Sequence, residues 1–285
     1  MAVAIVPVER EVSRGRSRPW YRRPTLTIGC SILFVIAFLA IAAPLISPYD
    51  PTAQQLTAVL QGPSTAHLLG TDEYGRDVWT RLLYAGRVDL AVGVLAVVTP
   101  FIFGTAVGLV AGYYGKALDV IVNGIIDIVQ AFPFYVLVIA LVFVLGAGIQ
   151  GVFLAVAAVG WVSYARIIRG GVLVAKREEY ILAARAAGFS SARIMFRHLL
   201  PNVITQAIIF AMSDIVVVIV GVVTLGYLGL GVPPPTPDWG SMIFDGQTFI
   251  TTNWLLPTIP GIAVVITGLG LSLVGDGLAD AARPE

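Results

Sequence analysis

Several stretches of this chain contain no Asp, Glu, Lys or Arg: residues 26–46, 90–115, 128–165 and 255–275, with 201–225 interrupted only by Asp214. An ionised side chain at bilayer depth costs several kcal/mol, and a helical crossing takes about 20 apolar residues, so each stretch reads as membrane span. The third stretch, 128–165, would make a helix of about 57 Å at 1.5 Å per residue, nearly twice a hydrocarbon core of about 30 Å. It must fold into two helices, with Gly146-Ala147-Gly148-Ile149-Gln150-Gly151 as the hairpin. The expectation is an all-α membrane protein with six transmembrane helices. Composition agrees, since 12% of the residues are charged against about 25% in a soluble domain.

The same composition excludes several functions. A net charge of +1 leaves no basic excess for a phosphate backbone, so no nucleic-acid partner is expected. The single cysteine, Cys30, cannot close a disulfide within the chain, and two histidines, His67 and His198, are too few for a dedicated metal site. No Gly-x-x-x-x-Gly-Lys-Ser/Thr loop occurs; the nearest string, Gly112-Tyr113-Tyr114-Gly115-Lys116-Ala117, has neither the spacing nor the hydroxyl residue. With no His-Glu-x-x-His, no Gly-x-Ser-x-Gly and no Cys near a His, no catalytic, metal or cofactor site is expected in this chain.

Basic residues close to a membrane favour the cytoplasmic side. Placing the amino terminus there puts 15 of the 18 Lys and Arg on that side and only Arg76, Arg81 and Arg87 opposite, so both termini are expected in the cytoplasm. An alternative reading of the first span is a secretory signal, because a basic leader precedes it and Ala40-Ile41-Ala42 has the form of a cleavage site. The apolar run exceeds an h-region of about 7–15 residues, which favours an uncleaved anchor. The expected divisions are a cytoplasmic basic leader, 1–25, an anchor helix, 26–46, an extracytoplasmic segment, 47–86, a five-helix core, 87–278, with a cytoplasmic loop at 166–201, and a tail, 279–285.

Two segments between spans are long enough for recognition. The outer one contains Pro48, Pro51 and Pro63, then His67-Leu68-Leu69-Gly70-Thr71-Asp72-Glu73-Tyr74-Gly75-Arg76-Asp77. It reads either as a turn and short amphipathic helix capped by Asp72, with ion pairs of little net value, or as a docking face. The inner one, 166–200, holds seven of the 18 basic residues. Residues 178–187 read as a short helix with acids at its start, where the helix dipole favours them, and alanines as strong helix formers. Gly188 ends it in the left-handed conformation, and Ser190 or Ser191 caps a second helix, 192–200, which Pro201 closes while opening the next span. The small alanine face admits a partner closely, and the arginines around it can bind carboxylates across an interface; a solvated connector is the plainer alternative.

The string Glu179-Tyr180-Ile181-Leu182-Ala183-Ala184-Arg185-Ala186-Ala187-Gly188, followed by Leu200-Pro201-Asn202, resembles the cytoplasmic EAA loop of bacterial ABC importer permeases. Ala183, Ala184, Gly188, Leu200 and Pro201 match its pattern, whereas Leu182 replaces a glutamate and His198 an isoleucine. Other strings are similar to the C-type permease subunit of dipeptide, oligopeptide and nickel importers. They are the 67–77 string, Asp127 with Ala131-Phe132-Pro133, Leu228-Gly229-Leu230-Gly231 with Pro234-Pro235-Thr236-Pro237 and Trp239-Gly240, and Gly275-Asp276-Gly277-Leu278 with Asp280-Ala281. Asn123 and Gly124 depart from the Met-Arg pair common in that subunit.

The resemblance implies a type I ABC importer permease fold, multi-pass in the bacterial inner membrane, and a non-catalytic subunit. It implies a second homologous permease subunit, two ATPase subunits holding ATP and Mg, and an extracytoplasmic solute-binding protein as partners. Glu179, Ala183, Ala184, Arg185 and Gly188 would belong to a coupling helix seated in an ATPase groove, with Pro201 passing its motion to the fifth span. Binding-protein docking would fall to Asp72, Arg76, Asp77, Asp238 and Trp239. The implied cargo is a peptide or a similar small solute. Competing classes are a stand-alone secondary carrier or channel and, behind it, a membrane enzyme; a carrier needs ion-coupling residues at depth, where only Asp214 and Asp127 are available.

Asp214 lies about 18 Å along the fifth span, near mid-bilayer. A carboxylate there faces a partner or a water-filled path rather than lipid. Two readings stand: a translocation-path residue that contacts a cationic group of the substrate, and a protonated or paired packing residue. Asp127 reads as a helix-end partner. Gly104, Gly108 and Gly112 form a small-residue ladder that packs either within the subunit or against the second permease. Pro100 and Pro133 are expected to kink their spans.

Overall fold

The computed structural model describes residues 24–282, so the basic leader before Pro24 and Arg283 lie outside the described residues. Nine helices organise the described chain: α1, Pro24–Ile41; α2, Val78–Tyr114; α3, Lys116–Gln130; α4, Phe134–Leu145; α5, Ile149–Ala175; α6, Glu179–Ala186; α7, Ser191–Tyr227; α8, Trp239–Gln247; and α9, Leu255–Ala282. Two short helical turns, Ala43–Ile46 and Leu56–Ala58, lie between α1 and α2. Five helices, α1, α2, α5, α7 and α9, are long and apolar enough to cross a bilayer, and α3 with α4 makes a sixth crossing if that pair, bent by 90°, is one span.

The 128–165 stretch divides at the glycine hairpin, where Gly146 and Gly148 take φ of 100° and 116°. It also divides at Pro133, which breaks the chain between α3 and α4 instead of kinking one helix. Proline lacks an N–H and disfavours helical geometry in the residue before it, so helix α3 stops at Gln130. Residues 128–130 therefore belong to α3, and the 12 residues of α4 reach only about 18 Å. Pro100, by contrast, stays inside continuous α2.

Two helix boundaries also differ from expectation. The second span starts at Val78, not at residue 90, and carries Arg81 and Asp89 buried inside the chain. Helix α7 runs through Pro201 without the expected break, because Ile194–Leu199 is wound as π-helix just ahead of it. A π-turn is a place where a helix absorbs a missing backbone donor and a proline ring.

The core is the α2–α5 pair with α7 laid against both. A Cβ on Gly104 would sit 2.8 Å from Tyr164 Cβ, one on Gly108 2.9 Å from Ala165 Cα, and one on Gly112 3.0 Å from Val172 Cβ. The glycine ladder thus lets α2 and α5 approach within this subunit; it is not left free for a second one. Val92, Ala96, Val156, Val159, Ile215 and Ile219 fill the seam with α7. Helix α1 lies along α9, while Phe34, Phe143 and Val265 are about 70% exposed, as side chains facing hydrocarbon are.

Candidate functional site

Residues 176–190 turn the chain from α5 to α7 at one end of the bundle. Because α5 extends to Ala175, Arg166 and Arg169 are helical residues and not part of this loop. Arg166 pairs with Asp127 at 2.7 Å, and Arg169 makes a two-pronged pair with Asp119, 2.8 Å from Nη2 to Oδ2, so α3 is strapped antiparallel to α5. Asp127 accordingly serves as a partner between helices.

Helix α6 keeps Glu179 in its first turn and Arg185 in its last, as its dipole favours. Ile181 and Ala184 are buried, in one apolar cluster with Ile194, Met195 and Leu199 of the π-turn. Tyr180, Leu182 and Ala183 are exposed, so Leu182 presents an apolar side chain where a glutamate was the expected type. Gly188 takes φ 78°; its N–H donates to Arg185 O at 3.0 Å and that of Phe189 to Ala184 O at 3.1 Å, the paired bonds of a Schellman end. Of the two serines considered, Ser190 is the cap, accepting the Arg193 N–H at 3.4 Å.

Three contacts not legible from spacing hold this corner. The Asn202 amide donates to the Tyr180 hydroxyl at 2.9 Å, and the Tyr113 hydroxyl donates to Ser191 Oγ at 3.3 Å. The Arg185 guanidinium lies 5.1 Å from the centre of the Tyr113 ring, so it turns back towards α2. Pro201 sits in the first turn beyond the π-segment, joining the corner to the rest of α7.

Midway along the bundle, the Tyr164 hydroxyl donates to Asp214 Oδ2 at 2.7 Å. Tyr164 is buried and meets Phe101 and Phe210 edge-on, at 5.5 and 5.2 Å between ring centres. Asp214 therefore has a polar partner inside its own chain, and the sequence offered no signal for that tyrosine beyond its position in a span.

The opposite end of the bundle is tied by a buried ionic network. Arg76 Nε meets Asp72 Oδ2 at 2.6 Å, its Nη2 reaches Glu73 at 3.2 Å and Asp245 at 3.7 Å, and Arg81 Nε lies 3.4 Å from Asp72. Asp77, not Asp72, caps α2, accepting the Thr80 N–H at 2.7 Å while its other oxygen meets His67 Nδ1 at 2.9 Å. Asp238 caps α8 by accepting the Ser241 N–H at 3.0 Å. Trp239 donates its backbone N–H to Asp89 at 2.8 Å and its indole N–H to Leu82 O at 3.2 Å. Asp72, Arg76, Asp77, Asp238 and Trp239 were expected at a docking surface; the structure buries all five side chains. They shape this end from within: Asp72, Arg76 and Asp77 of the charged loop find their partners inside the chain, while Asp238 caps α8 through one oxygen and keeps the other buried without a hydrogen bond. Burial, first of all, holds the Glu73 and Asp245 carboxyls above the usual carboxylate range, although the arginines oppose it. A cleft of about 250 Å³ opens beside the network, lined by Arg76, Arg81, Asp245, Gly148 and the prolines Pro233 to Pro235.

A bundle of helices fit to cross a membrane, with a helix–glycine–helix corner at one end and a tied-down polar segment at the other, defines a polytopic helical membrane protein. The family described as binding-protein-dependent transport system inner membrane component matches residues 104–285, and the chain belongs to that family. The N-terminal transmembrane domain of oligopeptide transport permease C matches residues 18–63. Relatives include the dipeptide transport system permease protein DppC of Alkalihalophilus pseudofirmus, 39% identical over 90% of this chain and 85% of its own length. DppC of Haemophilus influenzae is 38% identical over 90% of each chain. The glutathione transport system permease protein GsiD of Pectobacterium atrosepticum is 36% identical over 99% of this chain and 96% of its own. The fold is also that of the inward-facing MetNI methionine ABC transporter, with a TM-score of 0.55 and 19% identity over 71% of this chain and 97% of that one.

Proposed function

We propose that this permease is one half of the membrane path of an ATP-driven importer of peptides or similar small solutes. The observation that carries the reading is similarity of 35–39% to permeases of dipeptide and peptide transport over at least nine-tenths of the chain. The partners are a second homologous permease, two ATPase subunits and an extracytoplasmic solute-binding protein, in a bacterial inner membrane. The chain itself is non-catalytic and holds no cofactor; ATP and Mg belong to the ATPase subunits. The corner lies in the cytoplasm, where α6 docks through the exposed side of Glu179 and Ala183. Gly188 and Pro201 make the link from that docked helix to α7 a stiff one, so ATPase closure tilts α7 as a rigid element. The network at Asp72, Arg76 and Asp77, with Asp238 and Trp239, shapes the face that receives the binding protein, and Asp214 lines the path.

The test is purification of the tagged chain from membranes of cells expressing its neighbouring partner genes. ATPase subunits that come down in stoichiometric amount and hydrolyse ATP support the reading. A tagged chain that is folded yet recovers no ATPase subunit rejects it in favour of a stand-alone carrier.

A further inference from the structure

A cavity of about 460 Å³ opens at the corner end, lined by Tyr113, Tyr114, Lys176, Arg177, Leu182 and Arg185. Its lining carries three cations and no carboxylate. This contrasts with the turns just before it on α5, where Arg166 and Arg169 are each matched by an acid of α3. Among the described residues, Arg177 and Arg185 lie in no ion pair, and Lys176 reaches Asp119 of α3 only at longer range than a contact pair. Lys176 donates to Gly112 O at 2.7 Å, one of the last carbonyls of α2, and Arg185 lies over Tyr113.

Helices α2 and α5, both long and apolar enough to cross a bilayer, end here, at Tyr114 and Ala175, which puts the cavity at the foot of two spans, on the side of the membrane–water layer. Tyrosines with an apolar body and a polar tip prefer that layer. Tyr114 is 54% exposed. In the turns adjoining these ends, Val174 on α5 and Leu118 and Ile121 on α3 present exposed apolar side chains.

We propose that the cavity binds the phosphate headgroup of an anionic phospholipid of the cytoplasmic leaflet. The proposal rests on the orientation given above. Unpaired Lys and Arg at the foot of spanning helices attract anionic headgroups, each cation contributing roughly a fivefold factor in affinity. The guanidinium of Arg177 and the ammonium of Lys176 take the phosphate oxygens, the tyrosines flank the glycerol region, and the acyl chains run along Val174. Through Arg185, the lipid then touches the corner as well as the two helix ends.

The assembled importer, purified with its partner subunits, is placed in nanodiscs of phosphatidylcholine with or without phosphatidylglycerol, and the lipids that stay bound are counted by native mass spectrometry. Phosphatidylglycerol is expected to be retained and phosphatidylcholine to exchange. Arg177→Glu reverses one charge, equivalent to two cation steps, and is expected to weaken phosphatidylglycerol retention about 25-fold, while Arg177→Lys preserves it. Equal retention by Arg177→Glu and the unaltered complex overturns the proposal. So does displacement of the lipid by inorganic phosphate alone, which would make the cavity a soluble-anion site. If Arg177→Glu sheds the ATPase subunits with lipid retention unchanged, the cavity belongs to the subunit interface, and the importer reading survives without the lipid site.

Discussion

Gly188 holds φ 78° with nothing within 4 Å of where a Cβ would stand, so a substitution there changes backbone conformation and no packing. A β-branched residue is strained in that region by about 1–2 kcal/mol, whereas asparagine tolerates it. Gly188→Val is expected to lower uptake per ATP hydrolysed by about tenfold in proteoliposomes, and Gly188→Asn to stay close to the unaltered ratio. Equal ratios for both would remove the corner from the coupling route. Asp214 is the second informative residue. Asp214→Asn keeps an oxygen for the Tyr164 hydroxyl but discards the charge, so assembly is expected to persist while uptake of peptides carrying an extra cationic group falls several-fold relative to neutral ones. An unchanged substrate range, measured by competition with labelled peptide, assigns Asp214 to packing. At this scale local chemistry was readable: a glycine after an alanine-rich turn, and a serine before the next helix. The partners were not, since Tyr164 stands 50 positions from Asp214 and Tyr113 stands 78 from Ser191.

Among the elements, the α2–α5 contact is the one with least tolerance. Gly108→Ile would press a branched side chain into the backbone of Ala165, and overpacking of a fixed core costs about 1–3 kcal/mol or more. Its yield of monodisperse complex in fluorescence-detected size exclusion is expected to fall sharply, while Gly124→Ala, where a Cβ meets nothing within 4 Å, leaves the yield unchanged. The segment between α1 and α2 has a pH signature. The carboxyls of Glu73 in that segment and of Asp245 in α8, which Arg76 links to it, are raised chiefly by burial, so the folded network binds protons more tightly than the unfolded chain. Stability therefore rises as pH falls from the raised values towards the unfolded carboxylate range near 4, and is lost on the way back up. Protease cleavage within 47–77 is expected to slow as pH falls towards the unfolded carboxylate range, with a flatter profile in Glu73→Gln. A cleavage rate indifferent to pH would show these acids to be unshifted. Elements were legible where a run of one character was long enough, as in α1, α5 and α9. Most of helix α3 fell outside the charge-free runs because Lys116, Asp119 and Asp127 interrupt them, and the arginines of α5 that match the two acids stand far away in sequence.

For the molecule as a whole, orientation is the property on which the proposed partners depend. The chain has a single cysteine, Cys30, which makes a cysteine-free background simple. In Cys30→Ser, Leu56→Cys is expected to react with a membrane-impermeant maleimide added to spheroplasts, and Leu182→Cys only after permeabilisation. The reverse pattern would place the corner outside and remove the coupling assignment with it.

The sequence by itself determined that this chain lives in a bilayer, where its long crossings run, and that one corner has a helix–glycine–helix form. Absence of charge and the preference of glycine for a left-handed turn are local properties, readable without neighbours. Only the tertiary structure decided that the docking candidates Asp72, Arg76, Asp77, Asp238 and Trp239 are buried braces, that the glycine ladder closes on α5, and that α7 passes through Pro201. Each of these depends on which group stands across from another, and at bilayer depth or beneath a folded loop that opposing group, not water, determines whether a polar side chain is satisfied.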